Sequence, residues 1–423
     1  MSKVLKNRSQ RKLEQRQISR EKKRIEKLDR DYTAVRALFA KGFIDKACEK
    51  LKSVFEANQD NPFSLHQFGL LALNNAQYDW SAKIYKTLLK LDEESQVYLN
   101  NYAMSLSHGK KDTNLTREVF EKALSIHEND PMLLLNYSDF FKFNNQNEKA
   151  LELIEMANTF GPNNSNVIER LVELNLLLGE ANKAYDYCKS LLDSNPKNTM
   201  ALSYLQICYS ELSMNKELDS LFSQDWVKAY DSEEFWGKDF NDEFISNMTN
   251  YLIKHPSMIN EQDYFSTKNG RQTFGNLLLH EADMTFQLEH LLGWVSGEYI
   301  KFVSSQKSDH PHCSNIPKNY RISSWAVELS KGGYQDSHIH SDGWMSSVFY
   351  LSLPKKIDPS TNESKLLFGN APKKFYHKSK PQTFMITPNV GSIIMFPSFY
   401  WHETISFETD EKRLSISFDG IEC

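Results

Sequence analysis

Along the first half of the chain, apolar and small residues recur every three to four positions in blocks parted by short polar turns, the spacing of amphipathic helices. The blocks repeat. Ala47 and Ser81 stand 34 positions apart, as do Ala150 and Ala184, and each is the small residue that begins the second helix of a two-helix unit. Seven positions later come Val54, Leu88, Ala157 and Leu191, on one face of the same helix. Gly69, Ala103 and Ser138 take the small position of the first helix, where two helices approach closely, and Gly42 and Gly179 fall in the turns. Pro162 and Pro196 stop a helix before the next unit begins. The pattern predicts units at 28–61, 62–95, 96–130, 131–164 and 165–198, with a degenerate sixth at 199–223. The third unit needs one extra residue in its turn. Each helix pair leaves an apolar face that only its neighbour can cover, so the units must stack.

The period breaks at 224–236, where acids alternate with Trp226, Phe235 and Trp236; these aromatics predict a packed junction rather than a flexible linker. Beyond 237 the text predicts helices at 241–254 and 283–303 around a short extended piece at 268–273. Eight short strands follow, at 319–330, 334–341, 345–352, 364–368, 382–387, 391–396, 400–406 and 412–419. Gly332-Gly333, Asn370-Ala371-Pro372 and Pro388-Asn389-Val390-Gly391 separate them. Short strands with turn signals predict a sandwich or barrel, the jelly roll among them.

Charge changes this picture little. Lys and Arg number 50 against 55 Asp and Glu, so no global excess draws the chain to nucleic acid or to an acidic membrane. The exception is residues 1–27, a basic charged segment that reads as a solvated helix or as a docking arm. Five scattered cysteines (Cys48, Cys188, Cys208, Cys313, Cys423) form no CxxC pair, which fits a reducing compartment. No eighteen-residue apolar run occurs. The expectation is a cytoplasmic protein without membrane or nucleic-acid contacts.

The chemistry gathers near the C-terminus. Side chains at i and i+2 of a strand point the same way, so His338 and His340 face one side, and Asp342 joins them if the strand continues. His402, from a distant strand, can complete a triad on one side of a metal and leave the opposite positions open. Two frames are open on strand parity: His338/His340/His402 and His340/Asp342/His402. Arg413 lies beyond His402 on the last strand with Ser415 on its face. Such a pair can grip a carboxylate through the guanidinium, with a hydroxyl adding a hydrogen bond. Trp325, Tyr320 and Tyr350 lie on strands that can face inward, with core packing the default reading. His310-Pro311-His312-Cys313 reads as a surface loop, and His290, among leucines, as a packed helix residue.

Two resemblances follow. The helical units resemble the tetratricopeptide repeat, which implies a superhelix whose concave groove binds a protein or peptide segment; Tyr98, Asn101, Asn136 and Tyr137 are candidate groove residues. The stretch from Ser324-Trp325 through Gly332-Gly333, His338-Ile339-His340 and Ser346 to Leu351 resembles the 2-oxoglutarate/Fe(II) oxygenases of a bacterial and cyanophage type. Gly391 to Ser398, His402 and Arg413 to Phe418 extend the likeness, and Gly270-Arg271-Gln272-Thr273 resembles the N-terminal part of that family. Gly332 stands six residues before His338, as in the wider superfamily's pattern. The resemblance covers about 240–420 and implies a double-stranded β-helix, Fe(II), 2-oxoglutarate as co-substrate and O2. The metal ligands would be His338, His340 and His402, with Asp342 the alternative; co-substrate would be held by Arg413 and Ser415, with Tyr350 and Trp325 as further candidates. The wider superfamily has His-x-Asp where this chain has His338-x-His340.

The whole then reads as a multidomain chain: a basic segment at 1–27, an all-α repeat superhelix at 28–223, a junction at 224–236, and a jelly-roll domain with flanking helices at 237–423. The implied activity is a 2-oxoglutarate-dependent dioxygenase hydroxylating a protein or peptide that the repeats recruit. The alternatives are a non-catalytic scaffold with a degenerate site, and a three-histidine dioxygenase that works without 2-oxoglutarate.

Overall fold

The computed structural model describes residues 8–263, 265–357 and 360–423, so the first seven residues of the basic segment lie outside it. The chain forms two compact units, residues 1–128 and 129–423.

The first unit is three helix pairs: Arg8–Ala40 with Ile44–Ala57, Pro62–Asn74 with Tyr78–Leu88, and Gln96–His108 with Thr113–Ile126. The described part of the basic segment is the start of the first, long helix. Local chemistry sets the ends. The Asn61 side chain caps Pro62–Asn74 by accepting from Ser64 N–H, with Pro62 in the first turn, and Gly42 at φ +75° turns the chain between Arg8–Ala40 and Ile44–Ala57. The extra turn residue predicted for the third pair lies at 109–112, where Asp112 accepts from the backbone of Asn114 and Leu115. The small positions serve close approach: a side chain on Gly69 would meet the Tyr85 ring at 2.9 Å, and Ser81 Oγ donates to Gly69 O at 3.1 Å. Asn101, expected in the groove, is instead buried and donates to Tyr85 OH at 3.1 Å. Its amide satisfies a core hydroxyl and is not presented outward.

The second unit opens with three more pairs, Pro131–Phe143 with Asn147–Phe160, Ser165–Leu177 with Ala181–Ser194, and Thr199–Glu211 with the short Asn215–Leu221. Asp130, Asn164 and Asn198 cap the leading helices as Asn61 does. Tyr137, the second groove candidate to fail, is buried with its ring 4.8 Å from that of Phe141.

The remainder is one curled antiparallel sheet with flanking helices. Its strands are β1 (Lys228–Asp231), β2 (Met258–Asn260), β3 (Thr267–Thr273), β4 (Tyr320–His338), β5 (Met345–Ser352), β6 (Leu366–Phe368), β7 (Phe384–Ile386), β8 (Ser392–Pro397), β9 (His402–Thr404) and β10 (Arg413–Glu422). They pair in the order β1-β8-β5-β10-β4-β9-β6-β7, with β3 also on β4. The predicted strands 319–330 and 334–341 are one long strand. Its first part pairs β10 and its second pairs β9, with the corner at Gly332-Gly333. Gly332 has φ +70°, and a side chain on Gly333 would strike the Ser330 carbonyl, so the corner needs both glycines. This corner carries the chain from one layer of the double-stranded β-helix to the other.

A single apolar core joins the last repeats to the sheet: Ile168, Leu205 and Phe222 belong to the same cluster as Phe349, Ile394 and Phe418. Trp401 Nε1 donates to Ser203 O at 2.9 Å, and Gln206 Nε2 to Phe399 O at 2.8 Å. The Glu211 carboxylate accepts from the backbone of His377, Lys378 and Ser379 and from the Ser379 hydroxyl. Phe375 packs edge-on against Tyr204. The leading helices of the last two pairs are thus occupied by residues of the β-rich part. The stretch 224–236 is packed as well: Trp226 stacks on His310 at 4.2 Å, and β1 is an edge strand on β8.

Candidate metal centre

Backbone register brings the first two ring systems together. His338, the last residue of β4, is the direct partner of His402, the first residue of β9. His340 follows in the loop beyond β4, its backbone N–H donating to Ser398 O at 3.1 Å. One ring nitrogen from each of His338, His340 and His402 lies within 4.8 Å of the others, and among the described residues no other group of this kind occurs.

The other nitrogens settle which atoms face the centre. His338 Nδ1 meets Asp336 O at 2.7 Å, His402 Nδ1 meets Tyr400 O at 3.0 Å, and His340 Nδ1 meets the carboxylate of Asp419. All three partners are oxygens that only accept, so each Nδ1 carries the proton and each Nε2 is left with a free lone pair. Two of the rings, His338 and His402, are held neutral as well. Burial and the neighbouring His340 ring push His338 down to about 3, and burial with the two other rings lowers His402 far below the ordinary histidine value. The result is three imidazoles with converging Nε2 lone pairs, a donor set suited to Fe(II) among other divalent ions.

Asp342 does not join them. The strand ends at His338, and Asp342 sits exposed in the following turn, at the rim of a 440 Å³ cavity that also reaches His338, His340, Trp325, Gln272 and Asp419. Of the two sequence frames, the geometry assembles the three-histidine one. The Trp325 ring lies 5.3 Å from His340, beside the centre.

On β10, Arg413, Ser415, Ser417 and Asp419 alternate onto one face. Arg413 is fully buried. Its Nη1 donates to Ser415 Oγ at 3.3 Å and its guanidinium lies 4.9 Å from the Tyr350 ring centroid, yet Nε and Nη2 have no hydrogen-bond partner. No acid pairs with it among the described ion pairs. A buried guanidinium with two orphaned donors is costly unless something anionic meets it, and burial pulls its pKa down accordingly. Asp419 lies six residues along the same face, about 20 Å at the rise of a strand.

Two other sequence expectations are corrected. His310 and His312 are buried rather than on a surface loop: Pro311–Ser314 is a short helix, His310 donates to Leu221 O at 3.0 Å, and His312 stacks on Trp344 at 4.2 Å. The proline and polar flanks that suggested a loop cap a helical turn here. His290 is exposed on helix Asp283–Ser305, with its ring 4.6 Å from Phe286. Neither place holds a metal group. What the sequence reading missed is Asp419, with Ser346 donating to it at 2.7 Å and Ser398 hydrogen-bonded to Ser346 at 2.7 Å. Strand parity counted onward from Arg413 and Ser415 would have placed Asp419 on the inner face.

The chain is thus a helical repeat array joined to a curled antiparallel β-domain that carries three converging histidines and a buried arginine on its last strand. Residues 323–419 match the model of the family described as "Putative 2OG-Fe(II) oxygenase". No curated protein matches the chain. Among solved structures, a prolyl-4-hydroxylase from Pseudomonas putida is similar at 12% identity and TM-score 0.33, over 47% of this chain and 92% of that one. PilF of Pseudomonas aeruginosa is similar at 18% identity and TM-score 0.35, over 45% and 83%. A thermophilic tetratricopeptide-repeat protein of Thermus thermophilus is similar at 17% identity and TM-score 0.35, over 44% and 99%.

Proposed function

We propose that the protein is an Fe(II)/2-oxoglutarate-dependent oxygenase that hydroxylates a protein or peptide. The observation that carries this reading is the presence of two unsatisfied features in the same β-rich domain. Three imidazoles converge with free Nε2 atoms, and a buried Arg413 has two orphaned donors. The first fits Fe(II); the second fits the far carboxylate of 2-oxoglutarate, with Ser415 adding a hydroxyl and Tyr350 a flat surface under the guanidinium. Bound iron with co-substrate and O2 would supply the oxidising chemistry. The chain's own work is the rest. His338, His340 and His402 hold the metal through Nε2, Arg413 orients the co-substrate, and the apolar walls around Phe368, Phe396 and Val348 exclude water.

Recruitment of substrate falls to the earlier repeats in this reading, because the last two leading helices hold the molecule's own residues 375–379 and 399–401. Among the groove candidates, Tyr98 and Asn136 are half-buried rather than buried. No described helix is long and apolar enough to cross a membrane. The five cysteines are all unpaired, which supports a reducing, cytoplasmic setting.

The test is an anaerobic titration of the apo-protein with Fe(II) and then 2-oxoglutarate, following the visible charge-transfer band of the chelate. A band that needs both additions and is lost in His402→Ala and Arg413→Ala supports the proposal. Iron binding without a band at saturating 2-oxoglutarate would sink it. One observation favours a second reading: no acid stands in the histidine group, as in a three-histidine dioxygenase that needs no 2-oxoglutarate. Oxygen uptake without that co-substrate would select it.

A further inference from the structure

We propose that Asp419 is the anion of this metal centre, acting through the His340 ring rather than as a ligand. The inference rests on the metal reading above and deepens it. It starts from a charge count. A site of two histidines and one carboxylate brings one negative charge to a divalent metal, whereas three neutral imidazoles bring none. Asp419 restores that charge one bond further out. Its Oδ1 accepts the Nδ1–H of His340, whose Nε2 faces the centre, so carboxylate, imidazole and metal position form one line of contacts.

Three features set this contact apart from ordinary support. The first is asymmetry: the Nδ1 atoms of His338 and His402 meet neutral carbonyls, and only His340 is backed by a full charge, which makes it the strongest donor of the three. The second is that Asp419 is buried and its only described ion-pair partner is His340. A cation held on the far nitrogen of that ring would therefore face the one carboxylate that stands behind it. The third is that the pair is held from several sides. Ser346 Oγ donates to Asp419 at 2.7 Å and shares a hydrogen bond with Ser398 Oγ, while the Ser398 carbonyl accepts from the His340 backbone. Side chain and main chain of His340 are therefore fixed by the ends of β8 and β10 together. Asp419 touches neither the metal position nor a substrate, and is a positioning residue.

The experiment measures Co(II) binding to the full-length apo-protein by equilibrium dialysis, with Co(II) as an oxygen-stable probe. Asp419→Asn keeps an oxygen to accept the Nδ1–H but removes the charge; Ser346→Ala keeps the charge and frees the carboxylate to move. The expected result is a loss of affinity of roughly 10- to 100-fold in Asp419→Asn and less than about fivefold in Ser346→Ala. The anaerobic Fe(II)/2-oxoglutarate band should also shift in Asp419→Asn, and melting in chelator should match the wild type. Asp419→Glu, with the charge restored, should recover part of the affinity; it also serves if the asparagine variant does not fold. Unchanged affinity in folded Asp419→Asn, or equal losses in the asparagine and Ser346→Ala variants, would overturn the role of the charge and leave the histidine site standing. A wild-type protein that retains no Co(II) would overturn the site itself, and this proposal with it.

Discussion

His338 and His402 are direct partners across β4 and β9, with ring centroids 4.3 Å apart. The two imidazoles are neighbours because the backbone ladder makes them so, and their separation does not depend on a bound ion. His338→Ala should therefore lower metal affinity by more than about 100-fold while moving the melting temperature in chelator by only a few degrees. Metal dialysis and a thermal melt on the same sample check both halves.

Arg413 gives the opposite pattern. Its guanidinium is buried with Nε and Nη2 unpaired, so replacement by an apolar side chain of similar length removes an uncompensated charge from the core. Arg413→Met should melt no lower than the wild type when 2-oxoglutarate is absent. At a concentration a hundred times Kd, the co-substrate should stabilise the wild-type, metal-loaded protein by about 2.7 kcal/mol and the variant not at all. A variant that melts far lower without ligand would mean that the guanidinium has a structural partner instead.

Helical period and small residues were sufficient to place the repeats, because close helix approach leaves few residue types at positions such as Gly69 and Ala184. Most strands were legible to within a few residues, since turn glycines punctuate them; the exceptions were the short β1 and β2, which the reading did not place, and the β4 corner, where two glycines bend a strand without ending it. His338 and His340 could be read as a pair from strand parity, as could Arg413 and Ser415. Asp419 could not be tied to His340, because 79 residues separate them and only the folded β10 closes the gap. The burial of His310 and His312 was hidden for a similar reason: Trp226 and Trp344, which cover them, are remote in sequence.

Acid should weaken the fold through buried neutral histidines. His255 is buried, hydrogen-bonded to Ser257 at 2.8 Å and Tyr251 at 3.1 Å, and pushed down to about 4 by burial and by the nearby His280. Above its ordinary value near 6.5 the ring is neutral in folded and unfolded chains alike, and the contribution is fully present. Between 6.5 and 4 the unfolded chain takes the proton first, so stability falls as pH falls, by at most about 1.4 kcal/mol per pH unit for this one group. Urea midpoints across pH 7.5 to 4.5 should drop in the wild type, and the drop should be shallower in His255→Phe. Parallel slopes in the two proteins would remove His255 from the account.

The Glu211 carboxylate ties down residues 377–379 by accepting three backbone N–H groups and one hydroxyl. Glu211→Ala leaves those donors to water or to nothing, at a cost of about 1–3 kcal/mol. Hydrogen exchange should speed up at His377, Lys378 and Ser379 and stay unchanged in β10. Equal protection in variant and wild type would show that packing of Phe375 alone holds the segment.

The compact units divide at 128/129, well before the repeats end, and this predicts where the chain can be cut. Residues 129–423 contain one continuous core in which Phe222 stacks on Phe384 at 5.1 Å and packs against Tyr400 at 4.9 Å, while Trp401 is bonded to Ser203. A chain starting at 129 keeps all of these contacts and should fold and bind Co(II) as the full protein does. A chain starting at 237 loses β1 from the sheet edge and strips the cover from Phe375, Phe399, Tyr400 and Trp401. Side chains of this kind bury roughly 150–250 Å² each, so the exposed patch would far exceed what a monomer tolerates. That shorter chain should aggregate, or elute as a large species with a weak near-ultraviolet signal. If instead it is monomeric and binds metal as tightly as the full protein, the last repeats only lean on the β-helix, and the β-rich domain begins where the break in the repeat period puts it.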